Sequence, residues 1–344
     1  MSTALSKARR GPKNLITDVE GLLVGQAADA RVRSGVTVLV ADRLTPAACE
    51  ICGGGPGTRE TDALRPEGLV GGLDAVVLAG GSVYGLGACD AVAAVLGAAG
   101  RGFKLRGMEG APASPLVGGA ILHDLFNGGD KGWGEAPPYG ALGRAALAAA
   151  ADRFDLGTAG AGYGAMAGTL KGGIGSASSV TADGITVGAL AAVNSMGSVT
   201  GADGRTFWAA PFEIDAEFGG ADPGRLRAEP DAWPGAKVDP SPRENTTLCV
   251  VAVDVSLSNP ELKRVAAMAR VGLAQAIRPV FTPFDGDVVF ALSTARREPA
   301  EPRAFTVARI GALAADTLAR AIARGVYEAE AWKGSPAPAW RRNG

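Results

Sequence analysis

The chain has 344 residues, 47% of them hydrophobic and 20% charged, with a net charge of −1, so it can bury a sizeable core in one domain or two and is not a disordered polymer. Apart from Lys7-Ala8-Arg9-Arg10 it carries no basic block, which excludes the positive stripe that nucleic-acid binding requires. No apolar run reaches ~18 residues, and residues 1–14 lack the apolar stretch of a signal peptide, so the cytoplasm is the expected location.

In chain order, residues 36–40 and 75–79 read as strands, the second running through Gly80-Gly81-Ser82 into a helix over 88–96. Residues 140–151 read as an Ala- and Leu-dominated helix. Segments 185–193 and 248–257 read as strands, and 262–276 and 304–327 as the two clearest helices, with Pro302 placed to precede the second. Interleaved strands and helices point to an α/β layered domain. Nothing divides it: no repeat and no linker stand out. The span 209–245, with its six prolines and many charges, is the one long stretch without obvious structure.

Several motifs tempt and fail. A single histidine, His123, closes any mechanism that needs two, including most catalytic zinc sites. Cys49-Glu50-Ile51-Cys52 has redox spacing but precedes a glycine run rather than opening a helix, and reads as small buried residues. Gly160-Ala161-Gly162-Tyr163-Gly164-Ala165 matches a dinucleotide fingerprint without the strand that should precede it. Gly53-Gly54-Gly55-Pro56-Gly57 lacks the Gly-Lys-Ser/Thr ending of a phosphate loop, and Gly80-Gly81-Ser82-Val83-Tyr84 misses the nucleophile elbow.

Asn245-Thr246-Thr247, leading into the apolar run 248–253, is the most informative feature. It is compatible with a plain loop-to-strand junction. It is equally a chemical tool if the bond before Thr246 is broken. The new α-amine, with a pKa near ~7.7–8.0, can then activate the threonine's own hydroxyl. Asp285-Gly286-Asp287 stands before another apolar run, 288–292, and is either an Asp-Gly turn or a pair of carboxylates facing one site. Asn194, at the end of a strand, is either a turn residue or an oxyanion donor. Lys171, among glycines, is either a solvated loop residue or part of a closely approached backbone.

Six motifs together resolve these alternatives. They are Gly53-Gly54-Gly55-Pro56-Gly57-Thr58-Arg59-Glu60-Thr61-Asp62, Leu78-Ala79-Gly80-Gly81-Ser82-Val83-Tyr84-Gly85-Leu86, Ala120-Ile121-Leu122-His123-Asp124-Leu125, Leu170-Lys171-Gly172-Gly173-Ile174-Gly175, Asn245-Thr246-Thr247 and Asp285-Gly286-Asp287. Through them, and over nearly its whole length, the chain resembles the self-processing aminopeptidase and amidohydrolase family. That family includes the L-aminopeptidase/D-amidase-esterase, the β-aminopeptidases and the 6-aminohexanoate (nylon) oligomer endohydrolase. Thr246 with Asp-Gly-Asp looks more like the last branch, since the aminopeptidase branches usually pair a Ser nucleophile with Ser and Glu.

The resemblance implies a layered β-sheet sandwich flanked by helices, N-terminal-nucleophile-like but with different strand connectivity. It implies a single domain, 1–344, that cuts itself between Asn245 and Thr246 into an α chain, 1–245, and a β chain, 246–344. Carried over residue by residue, Thr246 is nucleophile and base, Asn194 stabilises the oxyanion, and Asp285 and Asp287 support the threonine. Lys171 joins the catalytic group, and His123 (where several relatives have tyrosine) lines the substrate and oxyanion pocket with Tyr84. The implied activity is hydrolysis of small peptides or linear amino-acyl amides, with no metal or organic cofactor, in a homo-oligomer of four or more copies. Two rivals are an acyltransferase of the ornithine acetyltransferase type and a non-catalytic small-molecule-binding protein.

Overall fold

The computed structural model describes residues 6–104, 110–238 and 245–342. Among them, eight strands of five residues or more carry the fold: β1 (Leu22–Asp29), β2 (Ser34–Ile51), β3 (Gly72–Ala79), β4 (Val117–Ile121), β5 (Gly173–Val180), β6 (Thr186–Asn194), β7 (Thr246–Val255) and β8 (Val288–Arg297). The helices are α1 (Gly87–Ala98), α2 (Tyr139–Ala148), α3 (Asn259–Ala269), α4 (Val271–Ala276) and α5 (Arg303–Tyr327).

Strand β2 is 18 residues long and belongs to two sheets. Its first half pairs with β1 and β3, and after a register shift between Val40 and Thr45 its second half pairs with β8. One sheet therefore runs β5-β6-β7-β8 and on to the end of β2, and the other holds β1, the start of β2, β3 and β4. The two face each other across a common core, with Leu39, Val76 and Leu78 on one side and Leu190, Val250 and Phe290 on the other. Period-two alternation sends the neighbouring residues outward. Val251 and Ala291 pack under α3 and α5, and Val38 and Val77 under α1 and α2. The result is helices, sheet, sheet, helices: the layered sandwich that the family resemblance implies.

Every residue of β7 is buried, as a central strand covered on both faces must be. Its apolar side chains each contribute up to ~1.5–3 kcal/mol by burial. The sequence-based helix over 262–276 is two helices that meet at Arg270. Its start lies earlier than periodicity alone suggests, because Ser258 and Glu261 form a capping box around Pro260. The segment 209–238 contains only short 3₁₀ turns, at Ala210–Phe212 and Pro223–Arg225. No helix among the described residues is long and apolar enough to cross a membrane.

The order of strands decides where the site lies. β7 and β8 are parallel, with Leu248 opposite Val288, so both begin at the same end of the sheet. β6 is antiparallel to β7 and finishes at that end, Asn194 opposite Thr246. The exit of β2 arrives there too, with Ile51 opposite Val288.

Candidate active site

Thr246 is the first residue of β7 and is 3% exposed, while Asn245 before it is fully buried. The Asn245–Thr246 junction is held from several directions. The Asn245 carbonyl oxygen accepts the Gly286 N–H at 2.9 Å and also the Thr246 hydroxyl. Asn245 forms a parallel bridge with Asp285, so the peptide before the threonine lies alongside the Asp-Gly-Asp turn. A hydroxyl on one side of a carbonyl and a backbone donor on the other is an arrangement that polarises that carbonyl.

The two carboxylates hold different parts of the site, Asp287 the strand just beyond the junction and Asp285 the loop after Asn194. Asp287 Oδ1 accepts the Thr247 N–H at 2.7 Å, immediately beyond the threonine. Asp285 Oδ1 accepts the Met196 N–H at 3.2 Å, just beyond Asn194, and its Oδ2 accepts the Thr282 hydroxyl at 2.6 Å. Both aspartates are buried. Burial, and next the negative charge of Asp285, push the Asp287 carboxyl up to about 8. Two close buried carboxylates resist ionising together, which favours one proton on the pair.

Asn194 faces Thr246 across the β6–β7 ladder, and hydrogen bonds orient its amide. Its Oδ1 accepts the Met166 N–H at 2.9 Å, and its Nδ2 donates to the His123 carbonyl at 3.1 Å. His123 thus touches Asn194 through its main chain, while its ring lies 5.3 Å from that of Phe126. Tyr84 is 46% exposed on the turn after β3 and meets Trp133 edge-on, with ring centres 5.6 Å apart. Ser82 N donates to the Leu122 carbonyl at 2.9 Å, which ties the turn carrying Tyr84 to the strand end carrying His123.

Lys171 is fully buried, not a solvated loop residue. Its ammonium donates to three carbonyls, Gly162 at 3.1 Å, Ala165 at 3.0 Å and Gly172 at 2.6 Å. Burial lowers its pKa to about 7, opposed by the negative charge of Asp124. Ala165 is followed by Met166, whose N–H orients Asn194, so Lys171 acts on the site by fixing the loop that aims the amide. The 160–165 run is accordingly a 3₁₀ turn at Gly160–Gly162 that serves as Lys171's acceptor cradle, with no dinucleotide geometry.

Three features have roles that the motifs alone do not give. The first is the glycine run after β2. Gly55 N donates to the Asp285 carbonyl at 2.8 Å, and a Cβ on Gly53 would lie 2.3 Å from that same oxygen. These glycines let the chain lie directly against the Asp-Gly-Asp turn, which is a different use from a phosphate loop. The second is Lys237, whose ammonium donates to Asn245 Oδ1 at 2.8 Å. No sequence signal marks it, because it sits in a polar loop among other charges. The third is Asp124, buried beside His123, which accepts the Gly81 N–H at 2.8 Å and whose carboxyl burial raises to about 6. The cysteines are free thiols, and burial pushes Cys49 and Cys52 up to about 12, which suits packing rather than redox chemistry.

Comparison with known proteins identifies the family and the fold. The family model of peptidase family S58 matches residues 14–337. An uncharacterized aminopeptidase of Mycobacterium tuberculosis is 40% identical, over 94% of this chain and 96% of its own. A 6-aminohexanoate-oligomer endohydrolase of Kocuria is 28% identical, over 83% of this chain and 76% of its own. Among solved structures, the L-aminopeptidase D-Ala-esterase/amidase of Ochrobactrum anthropi, a variant of the Ntn hydrolase fold, superposes with a TM-score of 0.69 at 23% identity, covering 98% of this chain and 95% of its own. A β-aminopeptidase of Burkholderia gives 0.70 at 20% identity, covering 98% and 93%. The chain belongs to peptidase family S58 and is a peptide or amide hydrolase of the aminopeptidase type.

Proposed function

We propose that this protein is a self-cleaving N-terminal-threonine amide hydrolase, cut between Asn245 and Thr246 and acting on small peptides or linear amino-acyl amides through an ester on Thr246. The observation that carries the reading is the Asn245 carbonyl, bracketed by the Thr246 hydroxyl and the Gly286 N–H at the head of a buried strand. In processing, Thr246 Oγ1 adds to that carbonyl carbon, the C–N bond breaks and the hydroxyl proton ends on the threonine nitrogen. Water then cleaves the ester, leaving the Asn245 carboxyl and a free Thr246 amine and hydroxyl.

In turnover the amine accepts the hydroxyl proton as Oγ1 attacks the substrate amide, and passes it to the leaving amine. Asn194, aimed by Met166 and His123, donates to the developing oxyanion. Asp287 holds the Thr247 N–H and Asp285 the Met196 N–H beyond Asn194, and negative charge on the pair offsets the ammonium form of the amine. Lys171 positions the loop behind Asn194. His123 and Tyr84 line the approach.

Topology supports chains that stay together after the cut. The β chain would contribute β7 and β8, both inside the sheet, with β6 of the α chain along one side and β2 along the other. Eight residue pairs join β6 to β7 alone, from Val187–Val253 to Asn194–Thr246. Intact mass under denaturing conditions tests the reading: two pieces, the second beginning at Thr246, are expected. An active enzyme consisting of one uncut chain would overturn it.

A further inference from the structure

In the uncut chain Asn245 is the acyl residue of the bond to be broken, and its side chain occupies a specific environment. It is wholly buried, its Oδ1 accepts from Lys237 Nζ at 2.8 Å, and its Nδ2 is buried without a hydrogen-bond partner among the described residues. The pocket therefore serves an oxygen at this position and leaves the amide's nitrogen unsatisfied, which is costly. Lys237 does not depend on Asn245 for its place. Its N–H donates to the Met196 carbonyl at 2.9 Å, Ala236 before it is buried, and the Gly235 carbonyl accepts the Thr169 N–H at 2.9 Å.

If Thr246 is the nucleophile, as proposed above, processing and turnover pass through the same chemical species, an acyl ester on Thr246 Oγ1. In processing the acyl group is Asn245; in turnover it is the substrate's acyl residue. What faces the first also faces the second once the cut chain end withdraws. From the placement of Lys237 we infer that its ammonium recognises the side chain of the substrate's acyl residue. The site then takes residues that carry a carboxamide or carboxylate one carbon beyond Cα, of asparaginyl or aspartyl type. An aspartyl side chain replaces the unpartnered nitrogen with an oxygen and adds an ion pair to Lys237. Aliphatic acyl residues would offer Lys237 no acceptor, and basic ones would meet a like charge.

The test is a panel of aminoacyl p-nitroanilides (Asn, Asp, Leu and Lys) with the mature wild-type enzyme. The Asn and Asp compounds are expected to exceed Leu at least tenfold in kcat/KM, with Lys slowest. Lys237→Met should lower kcat/KM for Asn and Asp by ~10–10²-fold, chiefly through KM, and bring their ratio to Leu toward one. A wild type that prefers Leu, or a Lys237→Met enzyme slowed equally on all four, would overturn the inference. Should Lys237→Met fail to mature, the wild-type panel decides, joined by the precursor itself. Asn245→Leu should self-cleave at least tenfold more slowly than Asn245→Asp, and equal rates would overturn the subsite. Intact mass separates the two levels: a cleaved enzyme without the preference refutes Lys237 recognition alone, whereas an uncut active chain refutes the Thr246 assignment and this inference with it.

Discussion

Gly286→Ala probes the feature that no side chain supplies. A Cβ at this position would lie 2.8 Å from Thr246 Oγ1, 2.8 Å from the Gly55 carbonyl oxygen and 3.3 Å from Pro56 Cα. Two of these three atoms are backbone, held by the Gly55 N–H to the Asp285 carbonyl at 2.8 Å, so the clash cannot be relieved by rotating a side chain. The Asp-Gly-Asp turn must shift away from Gly55, and with it the Gly286 N–H now 2.9 Å from the Asn245 carbonyl.

Two magnitudes follow. Overpacking of this kind costs ~1–3 kcal/mol of stability, a modest fraction of what a domain of this size holds. Losing one donor to a developing oxyanion slows the chemical step by ~10²–10³. The expected phenotype is therefore a folded precursor, its melting temperature lowered by a few degrees, that self-cleaves about a hundredfold more slowly. Intact mass against time after rapid purification, with a thermal melt on the same sample, reads both. Wild-type cleavage kinetics in a folded Gly286→Ala chain would show that the Gly286 N–H does not stabilise the scissile carbonyl. A variant that does not fold would be replaced by Gly53→Ala, whose Cβ would press on the same turn, 2.3 Å from the Asp285 carbonyl oxygen.

Thr246→Ala should abolish both cleavage and turnover, Thr246→Ser should retain part of each, and Thr247→Ala should be milder; a new N-terminus at Thr247 in the wild type would shift the site by one residue. Asn194→Ala should lower kcat on fully processed enzyme by ~10²–10³, and an unchanged kcat would reduce Asn194 to a structural residue. With Asp287 raised to about 8, the folded uncut chain holds a proton there that the unfolded chain has lost above its ordinary range. Stability is thus full below that range and falls as pH rises from 5 to 7, by at most ~1.4 kcal/mol per unit. In a Thr246→Ala background, denaturant melts should show Asp287→Asn flattening that slope, and an identical slope would refute the raised carboxyl. His123→Tyr should still self-cleave and hydrolyse, with substrate preference changed more than the pH profile; loss of the alkaline-rising limb would make the imidazole the working base.

How much of this was legible in the sequence depends on what each segment packs against. β7 and β8 announce themselves because central strands covered on both faces are continuous apolar runs. β5, Gly173-Ile174-Gly175-Ser176-Ala177-Ser178-Ser179-Val180, does not, although it is equally buried. Helix α5 rides directly on it: a Cβ at Gly175 would lie 1.8 Å from the Ala321 carbonyl, and one at Gly173 2.4 Å from that of Gly325. Close approach removes the β-branched residues that mark strands in a sequence, so the strand is written in glycine, serine and alanine. The nucleophile candidate, the Asp-Gly-Asp turn and Asn194 could be named from chemistry at element ends plus family resemblance. Lys237 could not, since its significance lies in a contact with Asn245 across a loop, and neither could the buried, fully hydrogen-bonded state of Lys171.

The convergence itself follows from strand direction. Thr246 and Asp287 are separated by the whole β7-α3-α4 excursion, yet Asp287 Oδ1 meets the Thr247 N–H at 2.7 Å. A parallel β7–β8 pair makes this automatic, because the residue that opens one strand and the turn that feeds the other lie at the same edge. An antiparallel pairing of the same two ten-residue strands would put the turn at the opposite edge, ~33 Å away at ~3.3 Å per residue. β6, being antiparallel, then delivers Asn194 by its last residue. The same geometry makes a cut before Thr246 compatible with an intact fold. The Asn245–Thr246 peptide lies just outside the β6–β7 ladder, whose last pair is Asn194–Thr246, so its cleavage would remove no rung between these strands and would free an amine beside the Asp-Gly-Asp turn.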